Sequence, residues 1–129
     1  MSAVENIFIA FRDEVGKSTW NFDQDPKSRH NLFQFDGLGP QQKSRYPDSN
    51  EVVNPCEKPL PLLKKLINHF SNPGEMVLDL CSGSGSTLIA AFESERSCVA
   101  VEKDPDQAKF IQQRLRESRE AEAEEEEHS

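Results

Sequence analysis

The chain is poor in cysteine, and the three it has, Cys56, Cys81 and Cys98, make an odd number with no Cys-x-x-Cys spacing. That pattern excludes a disulfide framework, and with His30, His69 and His128 scattered it excludes a zinc site of clustered ligands; no metal is expected. A reducing, intracellular setting, cytoplasmic or nuclear, follows from the same cysteine usage. Long hydrophobic runs are also missing. Ile7-Phe8-Ile9-Ala10-Phe11 is too short to span a membrane and lacks the basic flank and cleavage site of a secretory leader. Net positive charge is absent, with 15 Lys and Arg against 23 Asp and Glu for a formal charge of -8. Residues 117–129 hold seven acids against Arg119 and so carry -6 of that total, leaving -2 for everything else. The body is therefore near neutral, which rules out a broad basic platform for nucleic acid.

What is present suits one domain, because 129 residues at 35 % hydrophobic content support a single modest core with polar extensions. Residues 1–17 read as an N-terminal strand, apolar on both faces over 4–11 and ended by a turn. Residues 18–55 dissolve into Asp, Asn, Gln, Gly and Pro with spaced aromatics, Trp20, Phe22, Phe33, Phe35 and Tyr46. An irregular stretch of that length is uncommon in a compact domain and points to a functional arm or one pinned to a partner. Residues 56–117 read as an αβαβα unit. Its first helix starts near Pro59, carries Leu63, Leu66, Ile67 and Phe70 at helical spacing, and stops at Ser71-Asn72-Pro73-Gly74. A strand over 76–80, a helix over 87–95 and a strand over 98–102 follow, then a last helix opened by Asp104-Pro105 with Ala108, Ile111 and Leu115 inward. Two strands joined by a helix should lie parallel with a right-handed crossover. Residues 118–129, ending in a run of glutamates, read as a helix fraying into an acidic disordered tail.

The chemistry concentrates where Val77-Leu78-Asp79-Leu80 runs into Cys81-Ser82-Gly83-Ser84-Gly85-Ser86-Thr87 and then an apolar helix. A glycine-rich turn between a buried strand and a helix is how an open α/β sheet holds a nucleotide-like cofactor. Gly83 and Gly85 let the backbone approach a ligand closely, and the helix start offers free N–H groups. About twenty residues on, the second strand ends in Glu102, followed by Lys103, and an acid at that spacing accepts hydrogen bonds from both hydroxyls of a ribose. Three cofactor classes compete for the turn. A phosphate-binding loop of nucleotide hydrolases needs a lysine before Ser86-Thr87, and none is there. A dinucleotide fold prefers a glycine where Leu88 stands and does not want Asp79 aimed at a pyrophosphate. An adenosyl ligand with a charged amino-acid arm and no phosphate suits an acid near the turn, since Asp79 would meet a cationic sulfonium or ammonium.

Asn54-Pro55-Cys56-Glu57-Lys58-Pro59, the helix after it, Asn72-Pro73-Gly74 and the stretch from Val77 to Thr87 together resemble the cofactor half of S-adenosylmethionine-dependent DNA amino-methyltransferases, which methylate the exocyclic nitrogen of adenine or cytosine. The resemblance is to the permuted branch, in which the catalytic half comes first, and covers residues 54–115. It implies a three-layer, Rossmann-like class I methyltransferase fold of α/β class. It further implies that Asn54, Cys56 and Lys58 lie in an element similar to the family's Pro-x-Gln-Lys-Pro, against the methionine end of S-adenosylmethionine. Asp79, Cys81, Ser82, Gly83, Ser84, Gly85, Ser86 and Thr87 match its Asp-Pro-Phe-x-Gly-Ser-Gly-Thr loop, and Glu102, with Lys103 beside it, its ribose-binding acid. Departures from the pattern are Asn54 for histidine, Glu57 for glutamine, Leu80 for proline and Cys81 for the aromatic, the last removing an apolar wall for the ligand.

The family's Asp/Asn/Ser-Pro-Pro-aromatic tetrapeptide, which grips the target amino group and stacks the flipped base, has no counterpart, because the chain contains no Pro-Pro; Asp25-Pro26 is followed by Lys27-Ser28. No catalytic residue is therefore assigned. The resemblance implies the cofactor-binding part of a split or multi-subunit methyltransferase whose partner chain completes the sheet and supplies the catalytic motif. The alternative is an inactive, methyltransferase-like structural subunit of a larger complex; a third reading is a nucleic-acid-binding accessory module. Nucleic acid would then be met through the complex, with Trp20 or Tyr46 stacking on bases and Arg12, Lys17, Lys27, Arg29, Lys43 and Arg45 near phosphates. The competing reading has the aromatics of 18–55 anchoring an arm on another subunit.

Overall fold

The computed structural model describes residues 6–10, 18–21 and 35–129. Their elements run α1 (Leu60–Phe70), β1 (Met76–Asp79), α2 (Ser86–Phe92), β2 (Ser97–Ala100) and α3 (Pro105–Glu127). The order is the expected αβαβα. β1 and β2 pair in parallel, with Met76 opposite Ser97 and Asp79 opposite Ala100. Past the strand ends Val101 N–H still donates to the Asp79 carbonyl at 2.8 Å, and Ser82 N–H to the Val101 carbonyl at 3.0 Å, so the ladder delivers the glycine turn and Glu102 to the same edge.

The core lies on one face of this small sheet. Val77 and Cys98 alternate inward along the strands and pack against Ile67 of α1 and Ala90 and Ala91 of α2. Small residues at 90 and 91 let α2 sit close to α1, and Arg96 ties the far ends together by donating to the Ser71 hydroxyl at 3.1 Å and carbonyl at 2.8 Å. Among the described residues nothing covers the opposite face. Met76, Leu78, Leu80, Val99 and Val101 stand 46–65 % exposed. Two layers of a partial Rossmann-like α/β fold are present among the described residues, and the third layer of the expected fold is not.

Two expectations are corrected. The residues of the expected N-terminal strand that are described, 6–10, form no strand, and Phe8 is 92 % exposed; a strand exists only where a neighbour supplies its ladder, and both ladder partners here belong to β1 and β2. The acidic tail is helical to Glu127 instead of disordered. Ala and Glu are strong helix formers, and a helix already nucleated by the Asp104 cap, whose carboxylate accepts from Asp106 and Gln107 N–H at 2.9 and 3.1 Å, propagates through them. Trp20 and Tyr46 also have partners within this chain. Trp20 meets Phe70 edge-on at 5.3 Å and Tyr46 meets Phe110 at 5.8 Å, so each pins the irregular segment to this chain's own helices. Asn21 adds to that docking, its N–H reaching the His69 carbonyl at 2.7 Å at the end of α1.

Lys43 and Arg45 are likewise engaged locally, Lys43 by the Pro55 carbonyl and Arg45 by the Asn50 and Pro40 carbonyls. Phe22, Phe33, Arg12, Lys17, Lys27, Arg29 and Asp25-Pro26 lie outside the described residues.

Candidate functional site

β1 stops at Asp79 because the chain must turn sharply there: Cys81 N–H folds back onto Asp79 Oδ1 at 3.0 Å and the Ser82 hydroxyl onto the Asp79 carbonyl at 3.2 Å. Beside this turn lies a cleft of about 210 Å³. Its walls are the turn itself, through Asp79, Cys81, Ser82, Ser84, Ser86 and Thr87, and the segment before α1, through Asn54, Cys56, Glu57 and Lys58, with Leu63 behind. Segments separated by about a fifth of the chain in sequence are thus brought face to face, and nine of the thirteen residues read from the sequence as site residues line one cavity.

The other four do not line it. Gly83 and Gly85 have φ of +53° and +80°, a left-handed backbone that favours glycine. Their missing side chains make room for protein, not for ligand: a Cβ on Gly83 would stand 2.0 Å from Asn54 Nδ2, and one on Gly85 would stand 2.9 Å from Ile111 Cγ1. The turn's amides are also spent internally, Gly83 N–H on Glu102 Oε2 at 2.7 Å and Gly85 N–H on the Ser82 carbonyl at 2.7 Å. The expected array of free N–H groups therefore lacks these two, which disfavours a phosphate ligand and leaves the adenosyl reading ahead.

Glu102 sits just past β2 and works first as a clamp, its second oxygen accepting Asp104 N–H at 2.9 Å. Those two backbone hydrogen bonds, from Asp104 and Gly83, hold its carboxyl below the ordinary glutamate value. A carboxylate offers about four lone-pair sites, so some acceptor capacity remains beyond these backbone bonds. Lys103 is exposed beside it. Among the described residues Asp79 accepts one side-chain hydrogen bond, at Oδ1. A carboxylate with spare capacity on the cleft wall, and a second anionic acceptor beyond it, offer acceptor chemistry of the kind that an adenosyl ligand with a cationic arm can use.

Sequence reasoning missed the most heavily bonded group at the site. Glu57, read only as a departure from glutamine, has a side chain just 3 % exposed and meets Arg114 Nη1 at 3.2 Å. Burial pushes its carboxyl up, but hydrogen bonds from Ser44 N–H and hydroxyl, the Arg114 charge and the Ser86 hydroxyl outweigh burial and hold it below the usual value. Arg114 was legible in principle: it lies three residues after the inward-facing Ile111 and four after Phe110, on one helical face. Cys81 and Cys56 are exposed on the cleft, whereas Cys98 is half-buried under α2 with its thiol pushed up by burial and by Asp79.

Comparison with known proteins bears on this geometry. A family model described as DNA methylase, of the N6/N4 class, matches residues 6–113. The putative methylase YubD of Escherichia coli strain K12 is 42 % identical over 62 residues, which are 48 % of this chain and 27 % of that protein. The Type II methyltransferase M.HindIII of Haemophilus influenzae is 32 % identical over 92 residues, 71 % of this chain and 27 % of its own length. Among solved structures, the M1.HpyAVI-SAM complex is similar with a TM-score of 0.60 and 26 % identity, covering 77 % of this chain and 44 % of that one. The chain spans about a quarter of the length of these two curated relatives. A match across residues 6–113, with the turn, the acid after β2 and the segment before α1 all inside it, shows that the chain belongs to the DNA methylase family.

Proposed function

We propose that this chain is the S-adenosylmethionine-binding part of a DNA amino-methyltransferase, acting on the exocyclic nitrogen of adenine or cytosine, with the catalytic tetrapeptide supplied by a partner chain. The observation that carries the reading is the convergence of Asp79, Lys58 and the Cys81–Thr87 turn on one cleft. Asp79 would hold the cationic end of the cofactor, and Glu102 its ribose. Bound there, the cofactor would supply an electrophilic methyl group, and the residues of this chain would hold and orient it.

The need for a partner is supported by two quantities. Among the described residues the cleft, at about 210 Å³, falls short of the roughly 300–1,000 Å³ usual for a cofactor or drug-sized ligand, which favours a site completed by further residues. The bare sheet face, with five apolar side chains at 46–65 % exposure, is the kind of surface that soluble proteins cover.

Equilibrium titration with S-adenosylmethionine, on the chain alone and with whatever co-purifies, tests the reading. Binding in the complex, lost in Asp79→Ala, is expected. Absence of binding in both states would sink it.

A further inference from the structure

The site's least solvated charge is on the cleft wall itself: Glu57 lines the cleft with a side chain only 3 % exposed, and its partner Arg114 does not line it. Glu57 Oε2 accepts Ser44 N–H at 2.7 Å, and Oε1 accepts the Ser44 hydroxyl at 2.8 Å, the Ser86 hydroxyl at 3.2 Å and Arg114 Nη1 at 3.2 Å. The same Arg114 nitrogen donates to the Ser84 carbonyl at 3.0 Å and lies 3.3 Å from the Ser86 hydroxyl. Four parts of the chain meet at this one ion pair: the loop at Ser44, the segment before α1, the glycine turn and the middle of α3.

A buried ion pair is weak grounds for a gain in stability, since the cost of removing both charges from water offsets their attraction. What such a pair does supply is geometry, because each charge is satisfied only when every donor and acceptor is in place. Ser84 and Ser86 are where that geometry is spent. They bracket Gly85, and both line the cleft, so the Arg114–Glu57 pair sets the spacing between the turn and the 54–58 segment, the two walls of the cavity.

We infer that Arg114, with Glu57, is a positioning residue for the cofactor turn. It holds Ser84 and Ser86 against the segment before α1 and fixes the width of the cleft. The effect on cofactor affinity rests on the function proposed above; the effect on the turn does not.

Hydrogen exchange and S-adenosylmethionine titration on the full chain, with any co-purifying partner, separate the two. Three variants serve: Arg114→Met, Arg114→Lys and the double variant Glu57→Leu/Arg114→Met. Arg114→Met should speed exchange of the Gly83 and Gly85 amides at least tenfold relative to amides of β2, and weaken cofactor binding at least tenfold. Arg114→Lys should recover part of both. The double variant removes the uncompensated charge and should recover the melting temperature while leaving turn exchange fast and binding weak, a split that a merely structural pair would not produce.

If Arg114→Met fails to fold, the other two variants carry the test. Turn exchange unchanged in a folded Arg114 variant, or both properties restored together with stability in the double variant, would overturn the inference. Fast turn exchange in the variants of a protein that binds no S-adenosylmethionine would uphold it and overturn the cofactor reading alone.

Discussion

Gly85 offers a direct way to ask what the glycines of the turn are for. With φ at +80° any other L-residue is strained, at a cost of about 1–2 kcal/mol. A methyl there would also stand 2.9 Å from Ile111 Cγ1 and 3.2 Å from Cγ2, and forcing an extra methyl into a packed core costs about 1–3 kcal/mol. Gly85→Ala should therefore destabilise by about 2–5 kcal/mol. Ile111→Ala removes both clashing atoms but opens a cavity, at about 2–5 kcal/mol by itself for a side chain this buried. In the double variant the new methyl occupies part of that cavity, so only the backbone strain of Gly85→Ala should persist and the total should fall short of the sum by about 1–3 kcal/mol. Urea unfolding of the four proteins measures this coupling. Strict additivity, within about 0.5 kcal/mol, would refute the packing role. The same double variant, once folded, should bind S-adenosylmethionine nearly as the parent does, because the Gly85 Cβ points at Ile111 and not into the cleft. Loss of binding there would restore the simpler reading that the glycine makes room for ligand.

Other outcomes follow from the same geometry. Glu102 is held below its ordinary value by backbone hydrogen bonds, so its stabilising contribution is present above the unfolded value of 4.5 and is lost as pH falls through the lower folded one; Glu102→Gln should flatten the acid limb of a melting-temperature profile below pH 4.5. Asp104→Ala removes the cap of α3 and should cost about 0.5–2 kcal/mol in thermal unfolding, with reduced helical circular dichroism. Iodoacetamide should label Cys56 and Cys81 well ahead of Cys98, and S-adenosylmethionine should protect the first two; equal labelling of all three would contradict the burial of Cys98.

Where local chemistry decides structure, it could be read from the chain. Asp104-Pro105 specified the cap and first turn of α3, and Ser71-Asn72-Pro73-Gly74 the end of α1, because each acts within a few residues of itself. The strand ends moved, from 76–80 and 98–102 to Met76–Asp79 and Ser97–Ala100, since a strand stops where its partner's ladder does and no single segment records that. The tail was misjudged for a related reason: composition describes an isolated glutamate run, whereas residues 118–127 extend a helix whose nucleation was already complete.

The site divides along the same line. Asp79 and the turn announce themselves by sequence, but Glu57 does not, because its importance depends on Ser44, Ser86 and Arg114, 13, 29 and 57 residues away. Gly83 shows the same dependence in reverse. Its sequence context suggests room for a ligand, yet the atom waiting beside it is Asn54 Nδ2, from the other cleft wall. The glycines and the ion pair therefore do one job by two means. Gly83 and Gly85 let the turn approach the 54–58 segment and α3, and Glu57 with Arg114 fixes how close it comes. A family motif located by sequence thus names residues on the cleft walls, Glu57 among them, while Arg114, which sets the width of the cleft with it, emerges only from the fold.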